Sequence, residues 1–296
     1  MDSIHPAEED IDRLTEMYDS DPGVYAPRLA AALTERSDFL ARNGYPEDAA
    51  ELATKAVDVI RRALDSGFRL DPGLTNALSR LADSLAAAGK DDVARGVTLE
   101  SVQILRMLAD TDPEGYRTQL GTSLVNAGMR LRDMRDASIS TALLEEAVDL
   151  FRQANEKRQE ARALGALGEI YYYRGKSSIA EDVFGRLLYL STQADDLSNE
   201  RLCYNWLGIL AQQRGDYDQA ETYYRQSLSL SEQHGDQAAS AMAYFQLGSL
   251  AEKRGNRARA RSYFRQSASI SERVGDKNLA ATTYFRLRHL GEDSSG

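Results

Sequence analysis

The sequence repeats itself every 40 residues through its C-terminal half, and this repeat limits the fold more than any other feature. Leu-Gly pairs at residues 167–168, 207–208 and 247–248 set the register. The same spacing relates three sets of residues further along the chain: Gly175, Gly215 and Gly255; Ala180, Ala220 and Ala260; and Phe184, Tyr224 and Phe264. Coincidence at so many positions indicates a stack of similar units, each of which needs its neighbours to bury its apolar face.

Each unit is predicted to be a pair of amphipathic helices. In the unit near residue 201, Tyr204, Leu207 and Leu210 recur at helical steps. Gly215 then ends the first helix in a left-handed conformation, and Asp216 caps the second helix. Six prolines and few alternating β-branched runs agree with a helical chain.

The segment RGKSS at residues 174–178 is similar to the end of a phosphate-binding loop. Such a loop needs a second glycine five residues before the Gly-Lys pair, and that position is Ile170. Gly175 also occupies the same place in its unit as Gly215 and Gly255. The sequence therefore predicts a turn between two helices here, and no nucleotide site.

The pattern continues toward the N-terminus with less regular spacing. Gly44 precedes Ala49, and Gly89 precedes Ala94, at the five-residue separation of the later units. We expect an acidic helical segment in residues 1–27 with its helix near 7–19, an array over residues 28–290, and a flexible tail at 291–296. Within the array the predicted helix pairs begin near residues 30, 75, 121, 161, 201 and 241, followed by a polar capping helix at 277–290.

The segment NWLGILAQQRGDYDQAETYYRQSL, residues 205–228, resembles the tetratricopeptide repeat. The resemblance covers roughly residues 28–290 and implies an all-α, right-handed α-solenoid whose concave groove is lined by the first helices. The period of 40 exceeds the usual 34 residues. It is similar to the long repeats of kinesin light chains, spindle-orientation adaptors and Rap-type bacterial peptide-sensing regulators, while the first half resembles actinobacterial signalling arrays.

The resemblance also implies which first-helix positions face the groove, and the last three units carry the side chains suited to a peptide. Amides can pair with an extended backbone, aromatic rings supply apolar contact, and cations can hold a carboxylate. The alternative is that the aromatic rings only pack between helices, and Trp206 is expected to be covered by the preceding unit. The predicted peptide-binding residues are Arg162, Glu169, Tyr172, Tyr173, Asn205, Gln212, Phe245 and Lys253.

Charge divides the chain unevenly. Residues 1–155 hold 17 Lys and Arg against 28 Asp and Glu, whereas residues 156–296 hold 19 against 18. The acidic half argues against nucleic-acid binding, which needs concentrated positive charge. A basic cluster at residues 253–265 is interpreted as a solvated helix face, with an acidic partner or the acidic half of a second copy as the alternative. Monomer and dimer both remain open.

Composition and single residues exclude several other functions. The 42% hydrophobic content is typical of a globular chain, and no apolar run reaches the roughly 18 residues of a membrane span. The acidic N-terminus is unlike a secretory signal, so we expect a cytoplasmic protein. Cys203 is the only cysteine, and the three histidines are far apart, so no disulfide framework, metal site or cofactor is expected.

These observations favour a non-enzymatic scaffold or regulator that binds a peptide segment of a partner protein. One alternative is a regulatory module of a signalling system that senses a small peptide or ligand. An enzyme built on a repeat scaffold is the third possibility, but the sequence offers no Ser/His/Asp set and no metal-ligand spacing for it.

Overall fold

The computed structural model describes residues 6–65, 72–133 and 137–292, and within these ranges every regular element is a helix. The all-α prediction is therefore confirmed. The first helices of successive pairs carry even numbers, α1 precedes the first pair, and α14 follows the last. The fourteen helices of the described residues are α1 (Pro6–Ser20), α2 (Pro22–Arg42), α3 (Pro46–Asp65), α4 (Pro72–Ala87), α5 (Asp91–Thr111), α6 (Pro113–Asp133), α7 (Ala137–Gln153), α8 (Lys157–Tyr173), α9 (Ser177–Gln193), α10 (Leu197–Arg214), α11 (Tyr217–Gln233), α12 (Gln237–Lys253), α13 (Arg257–Val274) and α14 (Lys277–Glu292).

The first helices begin three to eight residues before the predicted starts. In α8, α10 and α12 the Leu-Gly pairs that set the sequence register lie near the middle of the helix, and the first turns are largely polar, so hydrophobic periodicity does not reveal these starts. At α2 the start is fixed by Asp21, whose side chain accepts a hydrogen bond from the Val24 N–H at 3.3 Å. Helix α2 thus begins at Pro22, while the boundary of the array at residue 28 stays a prediction, and the predicted tail residues 293–296 lie outside the described ranges.

The chain divides into two compact units, residues 1–160 and 161–296. In the first unit α2 packs on α3, α4 on α5 and α6 on α7. In the second unit α10 packs on α11, α12 on α13, and α13 on the final helix α14. A single array over residues 28–290 stays a prediction.

The turn inside each regular pair depends on a left-handed glycine. Gly215 has φ +85° and its N–H donates to the Gln212 carbonyl at 3.2 Å, while the Asp216 side chain caps α11 by accepting from the Gln219 N–H, also at 3.2 Å. Gly175 has φ +70° at the equivalent turn between α8 and α9. The segment RGKSS is therefore a helix-to-helix turn, as its place in the repeat predicted.

A second glycine in each regular unit allows the two helices of a pair to approach closely. A Cβ added at Gly208 would lie 2.5 Å from Cε1 of Tyr224, a ring that is fully buried on α11. Gly168 faces Phe184 and Gly248 faces Phe264 in the same way, each with a hypothetical Cβ at 2.7 Å from the ring. The aromatic ring of the second helix thus packs on the backbone of the first.

Replacing Gly208 with alanine is expected to destabilise the fold because the buried Tyr224 ring has no space to move into. Overpacking of this kind costs roughly 1–3 kcal/mol. Gly185 is the matched control, since it lies within α9 and a Cβ there would meet no atom within 4 Å. Gly185→Ala should raise the free energy of unfolding by roughly 0.5–1 kcal/mol through helix propensity alone. Urea unfolding followed by circular dichroism measures both, and equal effects of the two variants would contradict the close-approach argument.

Candidate peptide-binding surface

The first helices of the second compact unit lie beside one another. The Gln213 side-chain amide of α10 donates a hydrogen bond to the Tyr172 hydroxyl of α8 at 3.1 Å. In the same way Arg286 of α14 forms an ion pair with Glu252 of α12 at 3.3 Å. Arg201 of α10 also pairs with Asp236, the residue that caps α12, at 3.6 Å. These contacts join neighbouring first helices, so the outward-facing side chains of α8, α10, α12 and α14 form a common surface, which we call the first-helix surface.

The contacts between neighbouring first helices occur at equivalent repeat positions but differ in chemistry. Tyr172 of α8 contacts Trp206 of α10, and Glu252 of α12 contacts Arg286 of α14. Glu252 and Arg286 lie 80 residues, or two repeats, after Tyr172 and Trp206. The first contact is therefore between two aromatic rings 4.9 Å apart, and the later one is an ion pair. The repeat fixes where these residues lie, and the particular side chains give each part of the surface its own character.

An aromatic cluster occupies the α8 and α10 part of the first-helix surface. Tyr172 and Tyr173 meet edge to face at 5.3 Å, and Tyr173 meets Trp206 edge to face at 6.1 Å. Trp206 also stacks on Phe184 of α9 at 5.5 Å and 7°. Tyr173 is 74% exposed, while Tyr172 and Trp206 are half-buried. Burial raises the pKa of Tyr172, so its hydroxyl stays neutral.

Trp206 was expected to be a packing residue covered by the preceding unit, and it does contact that unit through Tyr172, Tyr173 and Phe184. It remains half-buried, however, and thus belongs to the surface as well as to the packing. A signal in the sequence could have indicated this. The equivalent residues of the next two units are the polar Gln246 and Arg286, which a fully buried position would not accept.

The eight predicted binding residues all lie on α8, α10 and α12, but their exposure differs. Arg162, Tyr173 and Lys253 are exposed. Phe245 is half-buried and its ring lies 5.6 Å from that of Phe264, so much of its surface serves the packing between α12 and α13. The others, which are also half-buried, are Glu169, Tyr172, Asn205 and Gln212.

Two polar atoms on the first-helix surface are buried without a hydrogen-bond partner among the described residues. They are Oε1 of Gln212 on α10 and Oγ of Ser249 on α12. Ser249 is only 7% exposed and occupies the repeat position of Ile209. A buried polar atom without a partner costs roughly 1–3 kcal/mol, so both atoms lower the stability of the packing between helices.

Most of the basic cluster at residues 253–265 is already bound within the unit. Arg254 pairs with Asp218 at 2.6 Å and with Glu221 at 3.2 Å. Arg259 pairs with Glu221 at 2.8 Å, and Arg261 donates to the Leu290 carbonyl at 2.8 Å. These contacts join α11, α12, α13 and α14, which agrees with the interpretation of the cluster as a solvated structural face.

Metal ligands, membrane-spanning helices and a reactive thiol are three further features that could give residues 6–65, 72–133 and 137–292 another function. No group of three or more His, Cys, Asp or Glu side chains in these ranges could hold a metal ion. None of the helices there is both long and apolar enough to cross a membrane. Cys203 is fully buried, and burial strongly raises the pKa of its thiol, which is the opposite of what a nucleophilic cysteine needs.

Comparison with known proteins agrees with this geometry. A family model described as the tetratricopeptide repeat matches residues 200–273. The fold is similar to the apo form of RapI, with a TM-score of 0.61 and 14% identity over 90% of this chain and 72% of that one. It is also similar to aspartyl phosphate phosphatase F from Bacillus subtilis, with a TM-score of 0.59 and 13% identity over 94% and 74% of the two chains.

A third similar structure is BtubC (BKLC) from P. vanneervenii, with a TM-score of 0.59 and 18% identity over 77% of this chain and 89% of that one. At these identities the likeness is one of fold. Among curated proteins, none matches the sequence significantly.

The helix pairs, the left-handed turn glycines and the glycine-to-ring contacts define a helical repeat protein of the kind that presents a surface to other proteins. The tetratricopeptide repeat model matches residues 200–273, so this part of the chain carries that repeat.

Trp206 is the only tryptophan, so its fluorescence reports directly on the aromatic cluster. Native emission is expected to lie to the blue of that of the unfolded chain, and iodide should quench it weakly. Tyr173→Ala removes the edge contact at 6.1 Å and should increase iodide quenching without lowering the unfolding midpoint. Tyr189→Ala is the control, because Tyr189 is 66% exposed but lies on the second helix α9. Equal quenching in both variants would contradict the cluster geometry.

Proposed function

We propose that the chain is a protein-interaction module that binds a peptide segment of a partner protein on the first-helix surface of residues 161–292. The observation that carries this proposal is the aromatic cluster in which the exposed Tyr173 packs on the half-buried Tyr172 and Trp206, beside the half-buried amides of α10. The module has no chemistry of its own in this proposal.

The aromatic cluster would supply most of the binding free energy. Tyr and Trp are enriched at the centres of protein interfaces, where they bury large area with few rotatable bonds. Tyr173 presents its ring to solvent at the edge of the cluster, while Tyr172 and Trp206 hold it from beneath. A ring fixed in this way loses little side-chain entropy when an apolar residue of the peptide covers it.

The amides would fix the direction and register of the peptide. Asn205 and Gln212 lie about two turns apart on α10, and each amide offers both a donor and an acceptor, as a peptide backbone does. Arg162 and Lys253 are exposed on α8 and α12 and would hold acidic side chains or a terminal carboxylate.

A regulatory module that senses a small peptide or ligand is the second candidate, and the same surface would serve it. RapI and aspartyl phosphate phosphatase F share the fold at 14% and 13% identity, so their likeness supports a fold and not an activity. The buried Cys203 thiol and the structural pairing of the basic cluster favour binding over catalysis.

Selection from a random peptide library displayed on phage tests the proposal, using the full chain as bait. Peptides enriched on the wild-type chain should change Trp206 fluorescence when they bind. Tyr173→Ala and Asn205→Ala should each weaken their binding about tenfold or more, which corresponds to roughly 1.4 kcal/mol or more. Tyr189→Ala, an equally large exposed truncation on α9, should leave affinity unchanged.

Thermal unfolding of each variant separates binding from packing. Tyr173→Ala should leave the midpoint unchanged because the ring is 74% exposed. If Tyr172→Ala and Asn205→Ala lower the midpoint while the folded variants bind the peptides normally, these residues pack the helices and the peptide surface lies elsewhere. Peptides that respond to Tyr189→Ala instead would assign binding to the second helices.

A further inference from the structure

A pocket of about 860 Å³ opens between α1, α2 and α3, wholly within the first compact unit. It belongs to neither the first-helix surface nor the proposed peptide site. Its base is apolar: Tyr18, Leu29 and Leu33 are buried there, and Leu40 and Leu52 are half-buried beside them. Charged side chains of α1 and α3 surround this base.

The lining residues follow helical stripes, so the pocket is a trough that runs along the helix axes. On α3 the stripe extends from Asp48 to Arg62, which is about 21 Å of helix. On α2 it extends from Leu29 to Leu40, or about 16 Å. The α3 stripe consists of Asp48, Glu51, Leu52, Lys55, Asp58, Val59 and Arg62.

The dimensions of the trough suit an α-helix. A helix about 10 Å across, sunk to half its depth over about 20 Å, occupies roughly 800 Å³. The pocket offers about 860 Å³. A segment of three to four turns therefore fits between α1 and α3 with one face on the leucines of α2, which is the helix-in-groove mode of recognition.

The charge around the trough selects the kind of helix. Residues 1–65 hold 15 Asp and Glu against 7 Lys and Arg, a balance of −8 out of the −10 of the whole chain. Asp12, Asp19 and Asp48 line the trough, are exposed, and have no ion pair among the described residues. Glu51, by contrast, pairs with Lys55 at 2.9 Å. The lining as a whole holds five carboxylates against three cations, which are Arg36, Lys55 and Arg62. This excess of negative charge beside an apolar base is complementary to a helix with Lys or Arg on both edges of an apolar face.

We propose that the trough docks a basic amphipathic helix of a partner protein, with apolar side chains on Leu33, Leu40 and Leu52 and cations facing Asp12, Asp19 and Asp48. The most basic helix of this chain, α13, is a poorer occupant. Its Arg259 and Arg261 are already bound to Glu221 and to the Leu290 carbonyl.

The probe is an 18-residue fluorescein-labelled peptide of Leu, Ala and Lys, with Leu at helical i, i+3, i+4, i+7 spacing and Lys on both edges. Fluorescence anisotropy against the full chain should give saturable binding that weakens with added salt. A scrambled peptide of the same composition and a peptide with Glu in place of Lys should bind at least tenfold more weakly. Equal binding of the scrambled peptide would show that probe binding is only general electrostatic attraction and would overturn the proposal. The absence of saturable binding would overturn it as well.

Charge reversal assigns the site. The double variant Asp19→Lys with Asp48→Lys should weaken probe binding at least tenfold. The matched control is Asp110→Lys with Asp92→Lys, two exposed residues of α5 outside the trough. Asp110 lies near the end of its helix, as Asp19 does, and Asp92 lies in the first turn, as Asp48 does. Equal loss in the two double variants overturns the assignment. Circular dichroism of each variant confirms that both are folded.

A position-specific label gives a second measurement. Cys203 is buried, so a cysteine placed at the exposed lining residue Thr15 can be labelled selectively with an environment-sensitive dye. Probe binding should shift the emission of the dye to the blue at Thr15→Cys and leave it unchanged at Thr54→Cys, an exposed position of α3 outside the trough. A shift at both positions or at neither would overturn the proposal. Concentration-dependent self-association that the probe abolishes would assign the trough to a second copy of the chain instead.

Discussion

The close contact between a glycine and an aromatic ring sets the geometry of every regular helix pair. Where Gly168, Gly208 and Gly248 face the rings of Phe184, Tyr224 and Phe264, the first helix of a pair lies against the ring of the second with no intervening side chain. Each contact repeats after 40 residues, so each pair has nearly the same internal arrangement. Because the fixed contact lies inside the pair, the residues between neighbouring first helices are free to differ from unit to unit.

That freedom produces the functional surface. Tyr172 and Glu252 occupy one repeat position, and Trp206 and Arg286 occupy the position that contacts it on the next first helix. The same contact is therefore aromatic at one end of the second unit and ionic at the other. In an ion pair the two side chains neutralise each other, whereas an exposed ring such as Tyr173 still has apolar area that a partner can bury. The aromatic end is therefore where we place the proposed peptide site, and the ionic end serves to hold the final helix.

The two compact units present surfaces of opposite chemical preference. The second unit is close to neutral, its basic side chains are largely bound internally, and its candidate surface depends on aromatic rings and amides. The first three helices carry most of the excess negative charge of the chain and enclose the trough between α1 and α3. Under the two proposals these surfaces would recognise different segments, one by hydrogen bonds and rings, the other by charge and an apolar base.

The sequence by itself determined the helix pairs, their 40-residue period, the left-handed turn at Gly215 and the resemblance to the tetratricopeptide repeat, because each depends on local conformation or on spacing along the chain. Helix starts such as Pro22 escaped it, since Pro27 lies inside α2 and a proline usually marks the beginning of a helix. Only the tertiary structure decided that Trp206 joins Tyr172 and Tyr173 in one cluster, that Phe245 packs on Phe264, and that α1 leaves a trough over α2. The physical reason is that exposure depends on how neighbouring helices approach one another, and that distance is set by contacts between residues far apart in the sequence.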